Sequence, residues 1–315
     1  MKEEAKFITI DPEITPLRDI YSLMVGGISP RPIALVSTIS KKGINNLAPF
    51  SYFNAFGSNP PYVAFSPALS GRDGSPKDTL INVENHPECV IHAVSHSMVE
   101  QTSLASTMYD ADVDEFAKSG FTPVDSDLVQ PKRVKESPFQ MECKVEQIVP
   151  LGGDKGSGNL VLCRVLKFHV NENCLDGELI DPHKLDLVGR NGANNYTRAS
   201  GASIFELIKP RGIGIGMDSL PDHILRSNIL SASNLAQLGN LTQIPDEAEI
   251  NAFIDSLSTL ESESTEYGRM AHEAYIHRES QESDTLEKFE LSAKIALQHR
   301  DAEFAIRALM TMPVL

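Results

Sequence analysis

The sequence predicts an α+β chain in which an antiparallel, barrel-like sheet with peripheral helices precedes a helical extension. Three observations predict it. β-Branched and apolar runs recur between Gly, Pro and Asn clusters at Ile33–Ile39, Asn46–Ala48, Tyr62–Ser66, Cys89–Val94, Gln140–Pro150, Asn159–Val170 and Glu178–Ile180. Two of these runs are long and flank LGGDKGSGN (Leu151–Asn159), a flexible hairpin loop of the kind found at a barrel rim. After Met217 the strand pattern stops, and AEINAFIDSLSTL places Ile250, Phe253, Ile254 and Leu257 at helical spacing.

The elements follow in order. Asp11-Pro12, Thr15-Pro16 and Gly26-Gly27 suit an extended lead-in with a short helix over Leu17–Met24. Lys41-Lys42-Gly43 supplies a hairpin connection after the first strand. The residues that follow are expected to form a polar loop. Asn45, Asn46, Ser51, Tyr52, Asn54, Ser58 and Asn59 are interleaved there with Phe50, Phe53 and Phe56, a mixture that suits a planar ring with polar edges. Helices fit Asp78–Asn85 with Asp78 as N-cap, Met98–Met108, and Asp112–Lys118 ending at Gly120. The extension is expected to hold helices near Ala248–Leu260, Ser264–His277 and Asp284–Met312. The division expected is 1–217 for the barrel and 218–315 for an acidic helical extension.

Composition narrows the function. The chain has 315 residues, 41% hydrophobic and 23% charged, the profile of an ordinary globular protein. Its net charge of −15 argues against nucleic acid and anionic membrane as partners, since both demand clustered Lys and Arg. From Asp218 onward 17 acidic residues face 7 basic ones, so most of the negative charge lies in the extension. MKEEAKFITI lacks the apolar core of a secretory signal and no run is long enough to span a bilayer, so a cytoplasmic location is expected. Cys89, Cys143, Cys163 and Cys174 show neither CxxC nor zinc-ligand spacing and are expected to be buried, reduced thiols.

Two groups of residues suggest chemistry. Ser75, Lys77 and Thr79 surround a helix N-terminus, where hydroxyls, a cation and free N–H groups favour a phosphate. The same segment also suits an ordinary capped surface helix, and Asp78 is expected to turn away from an anion. Ser37, Thr38, Ser51 and Asn54 are placed to supply hydrogen bonds along a ring edge, with Pro49 and Phe50 as apolar surface. The same Ser, Thr and Asn residues commonly satisfy loop backbone instead.

RPIALVST, NLAPFSYFNAF, Lys77-Asp78-Thr79, Phe116–Val145 and Leu187–Ser200 occur in an order that resembles the flavin reductase-like family of FMN-binding split barrels, from about Ile20 to Pro210. The resemblance implies an antiparallel split β-barrel and bound FMN. It also implies NADH or NADPH as co-substrate, a small-molecule acceptor such as free flavin, and a homodimer with flavin at the subunit interface. An FMN electron carrier serving a protein partner is the alternative. The resemblance adds Arg31, Ser66 and Arg190 to the candidate cofactor contacts, with Tyr196 nearby.

Other motif-like strings carry little. His272 and His277 are five apart, where a helical HExxH metal site needs four. GGDKGSG lacks the Gly-Lys-Ser/Thr ending of a phosphate loop, and RGIGIG (Arg211–Gly216) lacks the context of a dinucleotide fold. His92 and His96 are expected to be packing or surface residues.

Overall fold

The computed structural model describes residues 6–207, 212–258, 265–277 and 283–312. The chain divides into two compact units, one ending at Phe205 and the other beginning at Glu206, ahead of the composition shift at Met217.

The first unit opens with α1 (Leu17–Gly27) and then β1 (Arg31–Pro32), β2 (Ala34–Ile39), β3 (Asn45–Phe50), β4 (Phe53–Ser58) and β5 (Pro61–Phe65). Next come α2 (Asp78–Asn85), β6 (Glu88–Ala93), α3 (Val99–Leu104), α4 (Glu115–Ser119), β7 (Pro123–Val124) and β8 (Arg133–Val134). The long β9 (Phe139–Pro150) and β10 (Asn159–Val170) follow, then β11 (Leu175–Asp176), β12 (Leu179–Ile180), α5 (Pro182–Leu185), β13 (Val188–Arg190) and β14 (Tyr196–Arg198). Seven strands form one antiparallel sheet in the order β3-β2-β6-β9-β10-β5-β4. The two edge strands are consecutive in the chain, joined by Ser51-Tyr52, yet they are not neighbours in the sheet. The sheet therefore rolls into a barrel with a split between β3 and β4. Ring contact between Phe50 and Phe65, 5.4 Å between centroids, packs across the end of that sheet.

Alternation along the strands builds the interior. Ala34, Val36, Val63, Phe65, Cys89, Ile91, Cys143, Val161 and Cys163 form one buried cluster, completed by Leu80 and Val83 of α2. Helix α2 thus closes one end of the barrel. Leu35 and Leu47 point the other way, into a second cluster with Met98, Phe116 and Phe121. All four cysteines are free and buried.

The segment Thr122–Ser137 crosses the sheet as a strap held by side chains. His92 is fully buried; its Nδ1 lies 2.7 Å from the Leu35 carbonyl and its Nε2 accepts the Val134 N–H at 2.9 Å. That pairing requires neutral imidazole with the proton on Nδ1. Burial, with Arg133 nearby, lowers the His92 pKa to about 4 against the raising effect of the Leu35 carbonyl. Glu142, also fully buried, accepts N–H groups from Asp127 and Leu128 at 2.8 and 2.6 Å and meets His169 at 2.7 Å. Burial pushes this carboxyl up, but those N–H groups and His169 outweigh it and hold its pKa below the ordinary value. Asp127, Glu142 and His169 lie close enough to suggest a cation site. Lys167 already sits 2.6 Å from Asp127, however, and the cluster works as the strap's clamp.

Several sequence expectations are corrected here. The strand expected at Asn46–Ala48 is β3, extended to Asn45–Phe50, and the polar loop expected around and after it holds a further strand, β4. β4 is exposed along nearly its whole length, so no alternation marked it. Helix Met98–Met108 shrinks to α3 preceded by a 3₁₀ turn, and the helix expected at Asp112–Lys118 begins only at Glu115, capped by Asp114. Gly120 ends it in the left-handed region, φ 71°, as expected. Asp78 is not an N-cap: Lys77 occupies that position and Asp78 is the first helical residue.

The second unit is helical: α6 (Asp222–Leu225), α7 (Ala232–Gly239), α8 (Glu247–Ser258), α9 (Glu266–Ile276), α10 (Ser283–Gln298) and α11 (Ala302–Met310). The expected helix Asp284–Met312 is two, broken where Arg300 adopts φ 64° and Asp301 caps α11 through the Phe304 N–H. Ser231 and Asn234 form a capping box on α7. Thr259, Leu260 and Ser264, at the ends of expected helices, and Arg211 of RGIGIG lie outside the described residues. Leu238, Leu297 and Ile306 centre one core; Leu257, Ala271 and Phe289 centre another.

Candidate functional site

A cleft of about 220 Å³ forms where β3, the N-terminus of α2 and the chain after α3 meet, and Pro49, Phe50, Ser75, Lys77, Asp78 and Thr79 line it. Six of the thirteen candidate residues are thereby brought together. Helix α2 begins without a side-chain cap. The N–H groups of Asp78 and Thr79 have no partner among the described residues, so they remain donors for a ligand. Lys77 is half-buried and makes no ion pair among the described residues. An anion at this helix end gains about 0.3–1 kcal/mol from the helix dipole alone. Ser75 is less free than its position suggests, because its hydroxyl donates to Asp73 at 2.7 Å.

A polar network stands behind the cleft. Asn46 Nδ2 lies 2.9 Å from both Thr38 Oγ1 and Thr79 Oγ1, and Asn82 Nδ2 lies 3.1 Å from Thr38 Oγ1. It joins β2, β3 and α2, fixing the helix start against the sheet. Thr38 is thus a buried link one step behind Thr79. Ser37 is fully buried and donates to the Lys132 carbonyl at 2.5 Å, anchoring the strap.

The remaining candidates lie elsewhere. Arg31 is buried and bridges backbone: its Nη1 donates to Val25 and Ile28 carbonyls at 2.6 and 2.7 Å, its Nη2 to Asn191 at 3.4 Å, and its Nε to Ser51 Oγ at 3.3 Å. It ties the end of α1 and the β13–β14 hairpin to the β3–β4 turn. Ser66 accepts the Asn159 N–H at 3.0 Å, and exposed Asn54 accepts the Ala55 N–H. Arg190 donates to the Ala193 carbonyl at 2.6 Å and stacks 4.6 Å from the Tyr196 ring. Arg31 and Asn54 line a separate apolar groove of about 590 Å³, with Phe53, Val63, Met141 and Phe168 among its walls.

Two residues of the cleft escaped the sequence reading. Asn46 and Glu115 line both this cleft and an adjoining one of about 410 Å³, which Lys41, Lys42, Asn85 and Asp112 also border. Asn46 stood in the polar run, but its tie to Thr79 spans 33 positions. Glu115, 7% exposed, accepts the Leu47 N–H at 3.1 Å across 68 positions. Burial pushes its carboxyl up, Asp78 and Asp114 adding to the rise and the Leu47 N–H opposing it.

The Flavin reductase like domain matches residues 26–185, about half the chain. The chain belongs to that family. It is 32% identical to nitrilotriacetate monooxygenase component B from Bacillus cereus, with a TM-score of 0.61 over 64% of this chain and 100% of the other. It is 25% identical to the 2-nitrobenzoate 2-nitroreductase NbaA of Pseudomonas fluorescens, TM-score 0.57, over 68% and 99%. An uncharacterised protein of Halalkalibacterium halodurans is 34% identical over 59% of this chain and 90% of its own. The family match lies wholly within the first unit. The rolled antiparallel sheet with its split agrees with the split barrel expected.

Proposed function

We propose that the chain binds FMN in the cleft at the start of α2 and passes reducing equivalents from NADH or NADPH to a small acceptor, free flavin among the candidates. The observation that carries this is the joining, in one cleft, of an uncapped helix N-terminus, Lys77 and Thr79 with the apolar surface of Pro49 and Phe50. Two free N–H groups, a hydroxyl and an ammonium suit a phosphate, and the Pro-Phe edge suits a flat ring. The bound flavin supplies the hydride and electron chemistry. The chain's own part is anchoring: the Asn46–Thr38–Asn82 network holds Thr79 in place, and Arg31 holds the turn at Ser51.

We also propose a homodimer through the apolar groove, bordered by the unpaired edge of β4 and by Phe168, which is 48% exposed.

Purified protein reconstituted with FMN, followed by absorbance under anaerobic conditions, tests the redox reading. NADH or NADPH should bleach the flavin bands within seconds. Bands that persist until dithionite is added would replace the reductase with an electron carrier.

A further inference from the structure

The cleft read as the phosphate site is acidic for such a role. Among the described residues, Lys77 is the one cation lining it, against Asp78 and Glu115. Asp114, the cap of α4, stands beside Glu115 with both oxygens engaged, one by the Phe116 N–H at 2.8 Å and the other by Asn45 Nδ2 at 3.0 Å. Across the shared wall, the adjoining cleft adds Asp112 against Lys41 and Lys42. Lys118 of α4 is drawn to Tyr109, 5.6 Å from its ring, and α3, packed on α4, places no charged side chain in either cleft. A dianion entering here meets like charge at close range, where a low effective dielectric strengthens the repulsion.

Glu115 is the group able to relieve that repulsion. One carboxylate oxygen is fixed by the Leu47 N–H. The other accepts from no other residue among those described, its own backbone N–H alone acting on the carboxyl, and no sealed side-chain oxygen there lacks a partner, so solvent reaches it where Glu115 lines the two clefts. Protonated, this oxygen turns from a repelling charge into an O–H donor for a phosphate oxygen. The direction of its shift, upward through burial, agrees with that state being within reach.

We propose that Glu115 takes up one proton from solvent when a phosphomonoester binds in this cleft, so that affinity for the phosphorylated flavin, and not for the bare ring system, depends on pH. This rests on the FMN reading above. Asp78, exposed to both clefts, and the engaged Asp114 set the field that Glu115 answers.

Dissociation constants of FMN and riboflavin, measured by flavin fluorescence on the full chain between about pH 5.5 and 8.5, test it with wild type and Glu115→Gln. Glutamine keeps an oxygen for the Leu47 N–H and offers an uncharged N–H to the phosphate. Wild-type affinity for FMN should weaken as pH rises, by up to about tenfold per unit, the slope of one linked proton. Riboflavin affinity should stay flat. Glu115→Gln should retain only the dependence contributed by the phosphate's own ionisation near about pH 6, and should bind FMN about tenfold or more tighter than wild type at the alkaline end. Identical FMN profiles in the two proteins would overturn the proposal. Calorimetry of both proteins in two buffers of different ionisation heat counts the proton directly: close to one more taken up at mid-range by wild type than by Glu115→Gln supports it, and equal uptake in the two overturns it. Binding of neither flavin at any pH would instead overturn the FMN reading beneath it.

Discussion

At the scale of single residues, the polar groups that look chemical in the sequence divide into those that face a cleft and those that hold the fold. His92 is the clearest of the second kind. Its folded pKa of about 4 lies below the ordinary value of 6.5, so its contribution to stability is complete above the unfolded pKa. That contribution is lost as pH falls through 6.5 toward 4, because only the unfolded chain gains the proton in that window. The expected loss is roughly 3 kcal/mol. Denaturant unfolding of His92→Gln should be less stable at neutral pH yet show a shallower fall across this window, and an unchanged slope would refute the assignment. Ser37, Thr38 and Arg31 were equally visible as polar residues near a strand. What the sequence could not show is that their partners are Lys132, Asn46 and the α1 carbonyls, each brought near only by folding. Asn46 and Glu115 were missed for the same reason.

At the scale of elements, strands buried on at least one face were legible. Asn159–Val170 was placed to the residue, and the β2, β5, β6 and β9 runs to within a residue or two, because apolar content tracks burial. β4 was not, since an edge strand with exposed Asn54, Phe56 and Ser58 has no inner face to impose a pattern. That edge and the apolar groove beside it give a second prediction. Phe168 packs 5.8 Å from the Phe139 ring on the groove wall and remains half-exposed. Phe168→Glu should keep the circular dichroism of the wild type and sediment as a single 34.5 kDa chain, whereas the wild type should sediment at twice that mass. A monomeric wild type would contradict the proposed dimer.

At the scale of the whole molecule, the family match and the cleft both lie in the first unit, while the second carries 17 acidic against 7 basic residues from Asp218 onward. The helical nature of that second unit was legible from periodicity, though α6 and α7 fall outside the helices expected there. No helix among the described residues is long and apolar enough to cross a membrane.

The cleft at the start of α2 is proposed to hold the phosphate of a flavin. Equilibrium titration of wild type and the Lys77→Ala/Thr79→Ala double variant with FMN and with riboflavin, at about pH 6, tests it most directly. The wild type should prefer FMN by about 10- to 100-fold, the range expected of charge-assisted hydrogen bonds of about 1.5–3 kcal/mol. The double variant should lose that preference while binding riboflavin as before. Equal affinity of the wild type for FMN and riboflavin, or a preference for FMN that survives the double substitution, would contradict it.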